Sequence, residues 1–414
     1  MIRIGIVGCG RILAAHLRGY RLLREAGFDG FRITALCARN ERDALMYVRR
    51  GQGPPQRDAC SSIAGDPLAV GDEYLSDFQA TDDVAVYTDY REMMATAPID
   101  AVNDLTTHAL HHQVAAAAFS AGKHLMSQKP LAVSVRAARK MCDEADARGL
   151  TFGVFECFRY MPETRRLKWW FVPERGGRLQ MLLVGYIGAW WAPDFVVAHT
   201  PWRHVREEGG GISLDLGVHF FDQIRHLAGE IHTVSAQTAV VEPRRRFDSQ
   251  SGRSGESIAC DADDTCFVAF DTEAGAVGQI SASWAGHGEA TVLGEGSVFY
   301  GERSRTTGDR LSRDDGTYGS LAEVYATESS VQQRGDDFPL GLSDSFALAQ
   351  YDWLRAAAAG EQPETSGREG LRDLAAAFAI LESARAGCRV AVADVLDGTV
   401  DAYQRPIDER FGLI

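Results

Sequence analysis

Three side chains stand where they could handle a proton and a developing negative charge. Lys129 ends an extended run over residues 122–129, and Pro130 fixes the backbone where the chain would leave a strand. His219 follows Asp215 by four residues, so a helix would place both on one face. Histidine can accept the proton of an alcohol near neutral pH, and a lysine can stabilise negative charge on the same oxygen. These residue types predict chemistry at a hydroxyl group, with Asp215 binding a neighbouring hydroxyl or orienting the pair.

The N-terminus has the strand, glycine turn and helix that are typical of a dinucleotide site. The predicted strand over residues 2–7 leads into Gly8-Cys9-Gly10, and a helical pattern follows. The first glycine permits the tight turn, the second lets a pyrophosphate approach the backbone, and the helix N-terminus attracts its charge. Leu13 occupies the third fingerprint position, where glycine or alanine is usual. We expect the following residues to contact the cofactor: Gly8, Gly10, Arg11 and Ile12.

The end of the second predicted strand bears on the choice of cofactor. The strand over residues 32–37 runs into Ala38 and Arg39, where an NAD-specific enzyme usually has an acid for the ribose hydroxyls. Arg39 could instead face a 2′-phosphate, or it could be a solvated arginine at a helix start. We therefore predict NAD or NADP, with a slight preference for NADP and with Ala38 and Arg39 at the site.

The alternation of elements predicts an α/β fold. Predicted strands over residues 84–87 and 99–102 alternate with helices, which indicates a doubly wound parallel sheet whose ligands lie at the carboxyl ends of its strands. Polar residues follow two of these strands: Thr106, His108, Gln128 and Lys129. Residues 51–83 are polar and rich in Pro, Gly, Ser and Asp, and we interpret them as an insertion on the domain surface.

The second half of the chain predicts a different domain. Alternating runs predict a large, mostly antiparallel open sheet, and they cover residues 179–191, 231–241, 265–271, 277–284 and 290–300. We place a Rossmann-type domain at 1–130 and an α+β domain for substrate binding and oligomerisation at 131–414. The latter would include a strand at 150–155, and residues 302–337 would be loop and irregular strand. An open sheet face predicts a homo-oligomer, a dimer or a tetramer.

Several motifs together resemble one enzyme family. They are the N-terminal glycine turn, the Thr106-Thr107-His108-Ala109-Leu110-His111 segment, Ala121-Gly122-Lys123-His124, the Lys129-Pro130 pair, and residues 209–222 with Asp215, His219 and Asp222. They are similar to the glucose-fructose oxidoreductase, inositol dehydrogenase and rhizopine-catabolism family, Gfo/Idh/MocA. The resemblance implies that Lys129, Asp215 and His219 line the substrate site beside a nicotinamide. It also implies cofactor contacts at Thr106, Thr107, His108, His111, Gln128 and Lys129, and sugars, inositols or other polyols as substrates.

Candidate substrate contacts lie in two further segments. Arg159 and Tyr160 follow the strand predicted at 150–155, although a salt-bridged arginine and a core-edge tyrosine are equally plausible. Tryptophans suit the apolar faces of a sugar ring, and they occur in Trp190-Trp191-Ala192-Pro193 and at Trp202. Trp202, Arg203 and His204 are therefore specificity candidates, with core packing as the alternative for the tryptophan.

The composition excludes several classes of partner. The chain has 43 basic and 57 acidic residues, a net charge of −14, and this balance argues against nucleic acid and anionic membranes and favours a small-molecule substrate. Without a secretory pattern or a long apolar run, we expect a cytoplasmic protein. The cysteines show no metal-binding spacing, so we expect reduced thiols and no metal: Cys9, Cys37, Cys60, Cys142, Cys157, Cys260, Cys266 and Cys388.

The prediction is an NAD(P)-dependent oxidoreductase that transfers a hydride to or from a secondary hydroxyl of a sugar, glycoside or polyol. Two alternatives stay open: redox-assisted glycoside cleavage through a transient keto-sugar, and a non-catalytic NAD(P)- or sugar-sensing protein. One residue departs from the family pattern, because Gln128 stands where a glutamate usually precedes the lysine. A carboxylate would favour the charged lysine more than an amide does, so we interpret Lys129 as an electrostatic and positioning group.

Overall fold

The computed structural model describes residues 1–59, 61–62, 66–188, 193–249, 251–288 and 297–414. The chain divides into two compact units. The first contains Met1–Ala132, Ala137–Tyr160 and Phe338–Leu371, and the second contains Val133–Arg136, Met161–Asp337 and Arg372–Ile414. The first unit therefore continues beyond the boundary expected at residue 130, because two later segments pack on its sheet.

Strands and helices alternate through residues 1–160. In chain order they are β1 (Ile2–Val7), α1 (Leu13–Glu25), β2 (Phe31–Cys37), α2 (Glu41–Leu45), β3 (Ala85–Tyr87), α3 (Tyr90–Thr96), β4 (Ala101–Asp104), α4 (His108–Ser120), β5 (His124–Ser127), α5 (Val135–Ala147) and β6 (Phe152–Val154). Within the described residues they form a six-stranded parallel sheet in the order β3-β2-β1-β4-β5-β6. The strand order reverses between β1 and β4, and ligands of such sheets bind at this switch point.

The strand predicted at 150–155 belongs to this first sheet and not to the second domain. Its central part is β6, which pairs in parallel with β5 from Leu125↔Phe152 to Ser127↔Val154. Phe152 and Val154 are buried there, and the backbone N–H of Val154 donates to the carbonyl of Thr365. The pairing of distant segments, which a local pattern does not encode, sets this boundary.

The polar insertion at 51–83 packs against other parts of the first unit. Leu75 is fully buried, Glu73 forms an ion pair with Arg21 at 2.9 Å, and the Gln56 amide donates to the carbonyl of Met46. Cys60 and residues 63–65 of this insertion lie outside the described residues. The insertion is therefore a partly buried strap and not a purely superficial loop.

Residues 161–414 supply the remaining elements. In chain order they are α6 (Pro162–Trp170), β7 (Leu179–Ile187), α7 (Ile212–Asp215), α8 (Gly217–Ala228), β8 (Ile231–Ala239), β9 (Arg244–Arg246), β10 (Ser257–Ala259), β11 (Thr265–Thr272), β12 (Val277–Ser283), β13 (Val298–Gly301), β14 (Ser304–Thr307), β15 (Arg310–Arg313), β16 (Tyr318–Ser320), α9 (Leu321–Glu328), α10 (Val331–Asp337), α11 (Ser345–Ala359), α12 (Gly367–Ala386), β17 (Val390–Ala391), α13 (Val392–Asp397) and α14 (Arg405–Arg410). Of these, α11 belongs to the first unit.

The second unit is built on a mostly antiparallel sheet, as the alternating runs predicted. Among the described residues its order is β16-β15-β14-β13-β7-β12-β11-β8-β17, and β12 and β7 form its parallel pair. β9 and β10 form a separate hairpin. Residues 302–337, expected as loop and irregular strand, instead contribute β14, β15, β16, α9 and α10.

Two predicted strands fall partly outside the described residues. The run at 179–191 yields β7, which ends at Ile187, and Trp190, Trp191 and Ala192 lie outside the described part of the chain. The run at 290–300 yields β13, which begins at Val298, and residues 290–296 likewise lie outside it.

Within the described ranges, no helix combines the length and apolar character needed to cross a membrane. In the same ranges, no cluster of His, Cys, Asp or Glu side chains is arranged to hold a metal ion. The cysteines described are free thiols: Cys9, Cys37, Cys142, Cys157, Cys260, Cys266 and Cys388.

Candidate functional site

The glycine turn after β1 fits a dinucleotide. Gly8 has a φ of +101°, and a Cβ there would lie 2.7 Å from the carbonyl carbon of Leu105, so this glycine serves the packing of β1 against the end of β4. A Cβ on Gly10 would meet nothing within 4 Å, which leaves the backbone open to a ligand. α1 begins directly afterwards at Leu13, and its Ncap residue Ile12 makes no side-chain cap. The helix dipole at this end favours a phosphate group.

The insertion and its flanks hold the turn in place. The Tyr47 hydroxyl donates to the carbonyl of Gly10 at 2.9 Å, and Nη1 of Arg57 donates to the carbonyl of Cys9 at 3.4 Å. The Arg11 guanidinium donates to the carbonyl of Asp58. Burial raises the pKa of Tyr47 to about 12, so its hydroxyl stays a donor at neutral pH. The residues that surround the turn are therefore fixed by hydrogen bonds before any ligand binds.

The end of β2 presents the residues expected to select the cofactor. Ala38 is buried, and its backbone N–H donates to the carbonyl of Tyr87 at 3.1 Å. Arg39 follows with an exposed side chain. The Arg39 guanidinium is therefore open to solvent at this strand end.

A buried acid organises the end of β4. Oδ1 of Asp104 accepts hydrogen bonds from the backbone N–H of Thr106 at 3.0 Å and from its hydroxyl at 2.7 Å. Burial raises the pKa of the Asp104 carboxyl, and the nearby His111 and the Thr106 hydrogen bonds oppose that rise. Thr107 is the exposed Ncap residue of α4, and His108 opens that helix with a buried side chain. Thr106 and Thr107 thus remain placed to contact a cofactor.

His111 links two segments of the first unit. Its ring is fully buried, with Nδ1 3.1 Å from the carbonyl oxygens of Pro130 and Leu131 and Nε2 3.1 Å from that of Thr106. These contacts tie the loop after β4 to the segment after Lys129. The chain itself thus occupies both ring nitrogens, and a direct contact between His111 and the cofactor stays a prediction.

Lys129 is half-buried at the carboxyl end of β5 and is supported by amides and an imidazole. The side-chain oxygen of Gln128 accepts a hydrogen bond from the Lys129 backbone N–H at 2.8 Å, and its Nε2 lies 2.9 Å from Nε2 of His16. Gln350 contacts the other ring nitrogen of His16 at 3.3 Å. Burial lowers the pKa of His16 to about 3, so the ring is neutral and can accept the Gln128 hydrogen bond.

Asp215 and His219 belong to two consecutive helices and not to one. α7 ends at Asp215, Leu216 follows with φ −103° and ψ −30°, and α8 begins at Gly217. Apolar residues of the two helices are buried: Leu214, Val218, Phe221 and Ile224. Asp215 and His219 keep small exposed fractions of 5% and 7%, which leaves a narrow edge of each accessible.

The three glycines before α7 allow close approach of the chain itself. A Cβ on Gly210 would lie 2.4 Å from the carbonyl oxygen of Trp202, and one on Gly211, where φ is +116°, would lie 2.1 Å from Oδ1 of Asp263. Asp263 in turn accepts hydrogen bonds from the backbone N–H and hydroxyl of Ser213 at 3.1 and 2.6 Å. At Gly210 and Gly211, contacts within the chain therefore fill the space that a side chain would take.

Arg203 joins the predicted specificity segment to Asp215. Its Nε donates to Oδ2 of Asp215 at 3.0 Å, and its guanidinium lies 4.4 Å above the ring of Trp202. The same guanidinium donates to the hydroxyl of Thr200. The structure therefore brings Trp202, Arg203 and Asp215 together within the second unit.

Three other substrate candidates have structural partners. His204 is buried, accepts a hydrogen bond from the Val197 N–H at 3.0 Å, and has its pKa lowered to about 3 by burial and then by the nearby Arg245 and Arg203. Buried Arg159 pairs with Glu369 at 3.3 Å, and the buried Tyr160 hydroxyl donates to Asp352 at 2.8 Å. These contacts favour the structural alternatives for Arg159 and Tyr160, and they give His204 a partner within the chain, so that its contact with a substrate stays a prediction.

Sequence reasoning assigned no role to His16, Asp263 or Thr200, which support the candidate site. His16 could have been found, because it shares the buried face of α1 with Leu13, Leu17 and Tyr20 at helical spacing, where a histidine must have a partner. Asp263 and Thr200 carry no such signal, since their partners are set by tertiary structure.

Two family models match the chain. One describes an oxidoreductase family with an NAD-binding Rossmann fold and matches residues 2–156, and the other describes an oxidoreductase family C-terminal alpha/beta domain and matches residues 185–392. The chain is 25% identical to levoglucosan dehydrogenase of Pseudarthrobacter phenanthrenivorans, with 72% of this chain and 81% of the relative covered. It is 23% identical to myo-inositol 2-dehydrogenase of Thermotoga maritima, with coverages of 92% and 96%.

Among solved structures, the fold is similar to that of a levoglucosan dehydrogenase in complex with NADH and L-sorbose. The TM-score is 0.72 at 21% sequence identity, with 94% of this chain and 98% of the other covered. This likeness confirms the predicted fold, a parallel Rossmann sheet followed by a mostly antiparallel one.

Proposed function

Since the chain belongs to the Gfo/Idh/MocA oxidoreductase family, we propose that it transfers a hydride between NAD(P) and a secondary hydroxyl of a sugar, glycoside or polyol. The observation that carries this proposal is the position of Lys129. It follows β5, and the glycine turn follows β1, at the carboxyl edge of one parallel sheet. That edge is where such sheets bind a dinucleotide and where the reacting carbon must lie.

The proposed chemistry is the oxidation of a secondary alcohol to a ketone. A bound NAD(P)⁺, which the glycine turn after β1 would hold, would supply the acceptor for the hydride from the carbon, and a ring nitrogen of His219 would take the hydroxyl proton. Lys129 stabilises the negative charge that develops on the oxygen as the proton leaves. Asp215 accepts a hydrogen bond from a neighbouring hydroxyl and so orients the substrate. The reverse reduction uses the same groups, with His219 as the proton donor.

Sugars and polyols are the proposed substrate class. The named relatives act on levoglucosan and myo-inositol, which are cyclic polyols. In this chain, half-buried Trp202 offers an aromatic face next to the charged Arg203 and Asp215, and a sugar ring presents apolar CH faces and polar edges.

The preference for NADP is a proposal that rests on Arg39. Its side chain is exposed at the end of β2, next to buried Ala38, where an NAD-specific site would have an acid. Titration of protein fluorescence with NADH and NADPH tests this preference directly. A clear preference for NADH would overturn it.

We also propose a homo-oligomer that works in the cytoplasm. The second sheet carries large apolar side chains on exposed positions, with Met181 at 47%, Phe267 at 48% and Val277 at 52% exposure. Covering them with a second copy would remove apolar surface from water. Free thiols and an NAD(P) cofactor suit a reducing compartment. Sedimentation equilibrium would measure the oligomeric state.

The decisive experiment is a dehydrogenase screen over sugars, glycosides and polyols with both cofactors, followed by Lys129→Ala on each accepted substrate. We expect kcat to fall by about 100-fold while NAD(P)H still binds. The matched control is Lys123→Ala, because Lys123 lies at the other end of the same strand and donates to the carbonyl of Ile99. Unchanged turnover in Lys129→Ala would contradict the proposed mechanism.

A further inference from the structure

Arg203 and Asp215 form a partly buried ion pair within the second unit. Nε of Arg203 lies 3.0 Å from Oδ2 of Asp215, and the two side chains are 17% and 7% exposed. Solvent and salt screen such a pair less than a surface pair, and the nearby cation favours the ionised carboxylate. Removing the arginine would take this cation away from a nearly buried carboxylate, which is costly.

The Arg203 side chain is fixed from several sides. Its guanidinium stacks over Trp202 at 4.4 Å and donates to the hydroxyl of Thr200. Its carbonyl oxygen accepts the backbone N–H of Gly211 at 2.9 Å, one residue before α7 begins. The segment that carries Arg203 is therefore bonded to the start of the helix that carries Asp215, and the side-chain pair reinforces a backbone link.

The backbone before Arg203 is strained. Ala198 and His199 have φ values of +51° and +56°, in the left-handed region that costs residues other than glycine about 1 kcal/mol or more each. Two contacts hold this conformation: Nε2 of His199 lies 2.8 Å from Oδ2 of Asp248, and the Thr200 hydroxyl donates to the carbonyl of Val197 at 2.8 Å. The strained turn presents the Thr200 hydroxyl to the Arg203 guanidinium, and strain of this kind is retained where a fixed geometry is required.

We propose that Arg203 is a positioning residue that acts through Asp215. Arg203 keeps the Asp215 carboxylate ionised and oriented, and of these two side chains Asp215 alone contacts the neighbouring hydroxyl of the substrate. This inference rests on the proposed function, because the contact between Asp215 and substrate is part of it. It replaces the expectation that Arg203 binds the substrate itself. The strained turn at Ala198–His199 and the loop that carries Asp248 then support the site at a distance.

The first test compares Arg203→Met with Arg206→Met. Arg206 is the matched control, since it lies three residues later and stacks over Tyr403 at 4.2 Å. We expect Arg203→Met to lower kcat/KM by about 100-fold and to leave the Kd for NAD(P)H unchanged, whereas Arg206→Met stays close to wild type. Arg203→Lys keeps the positive charge but not the planar guanidinium, and it should lower kcat/KM by about tenfold. Added guanidinium should restore part of the activity of Arg203→Ala, and equal urea should not.

A double-mutant cycle separates this inference from the proposed function. If Arg203 acts through Asp215, Arg203→Met should cause no further loss of kcat/KM in an Asp215→Asn background. Additive losses would overturn the positioning role, because they would show that Arg203 contacts the substrate itself. Wild-type turnover in Asp215→Asn would instead overturn the proposed role of Asp215. Thermal unfolding of each variant, compared with wild type, checks that the losses do not come from misfolding.

Discussion

The backbone at Lys129 in the first unit and the carboxylate of Asp215 in the second are bonded to groups of different kinds. The Lys129 backbone N–H donates to the neutral Gln128 amide, which contacts the uncharged His16 ring, and the Gln350 amide contacts the other side of that ring. Oδ2 of Asp215 instead accepts a hydrogen bond from the charged guanidinium of Arg203. Neutral groups thus hold the backbone of one residue, and a formal charge meets the carboxylate of the other.

The difference teaches how charge is distributed in a site of this kind. The neutral Gln128 amide holds the backbone at Lys129 without itself adding a formal negative charge, and in the proposed mechanism the ammonium group attracts negative charge on a substrate oxygen. Asp215 has to accept a hydrogen bond from a hydroxyl, and a carboxylate does so when it is ionised, which Arg203 favours. Proton transfer then falls to His219.

The largest expected effect separates His219 from Lys129. We expect His219→Gln to lower kcat by about 1000-fold and to remove the acidic limb of the pH–rate profile for alcohol oxidation, because the base has to be unprotonated to act. Lys129→Ala should lower kcat by a smaller factor and should keep the acidic limb of the profile. The control is His226→Gln, seven residues later on the same helix. The measurement is kcat/KM from pH 5 to 10, and a limb that survives in His219→Gln would assign the base elsewhere.

The two units should also differ in acid stability. Burial lowers the pKa of His16 from 6.5 to about 3. The neutral ring therefore contributes fully to the free energy of unfolding above pH 6.5, and this contribution is lost as the pH falls towards 3. Between pH 6.5 and 4.5 the loss of unfolding free energy is about 3 kcal/mol in the first unit. His204 has the same effect in the second unit, but burial raises the pKa of Asp263 from 3.8 to about 6, which restores about 2 kcal/mol as the pH falls from 6 to 4.5.

Native-state hydrogen exchange measures this difference. After correction for intrinsic rates, amides of β1 and β4 should lose more protection between pH 6.5 and 4.5 than amides of β11 and β12. His16→Gln should flatten the pH dependence of the first unit and leave that of the second unchanged. Equal losses in the two sheets would show that these three groups do not govern acid stability.

A smaller effect is expected at Asp248, far in sequence from Asp215. Asp248→Ala removes the partner of His199, so the strained turn should relax and Arg203 should lose part of its orientation. We expect kcat/KM to fall by about tenfold. Glu256→Ala is the control, since Glu256 is an acid near the same hairpin that pairs with exposed Arg253. Steady-state kinetics should show no difference between Glu256→Ala and wild type, and an equal fall in both variants would refute the link through His199.

Local periodicity predicted most of the fold, and it failed where polar residues occupy buried strand positions. The alternating runs that became β8, β11 and β12 were recognised because each contains buried apolar residues, among them Val234, Val268 and Ile280. β14 was missed because its buried positions are Ser304, Thr306 and Thr307, which resemble loop residues in a sequence. Their burial depends on neighbouring strands and is not encoded within the segment.

The candidate site shows the same division. The glycine turn and Lys129 belong to local patterns, so their elements could be predicted, whereas the single helix assumed for Asp215 and His219 is divided at Leu216. The roles of Arg159 and Tyr160 depend on their partners Glu369 and Asp352, which follow about 200 residues later and belong to the first unit. A buried ion pair and a substrate contact use the same residue types, and the distant partner decides which of them forms.

Gln128→Glu makes the support of Lys129 resemble that of Asp215. The new carboxylate would face Nε2 of His16 and the backbone of Lys129, at the positions where the amide now makes bonds of 2.9 and 2.8 Å. A nearby carboxylate favours both the imidazolium and the ammonium, so acid sensitivity from His16 should diminish and any limb of the pH–rate profile that belongs to Lys129 should move to higher pH. We expect kcat at the optimum to change by less than about tenfold, because the hydrogen-bonding geometry is kept. Gln350→Glu is the matched control. It places a carboxylate on the other side of His16, where Nε2 of the present Gln350 amide lies 3.3 Å from Nδ1 of the ring. It also leaves the Lys129 N–H with its amide partner. Both variants should therefore resist acid better than wild type, but the profile should move in Gln128→Glu alone. A pH–rate profile that Gln128→Glu leaves unchanged would mean that the neutral amide before Lys129 has no bearing on how the lysine works.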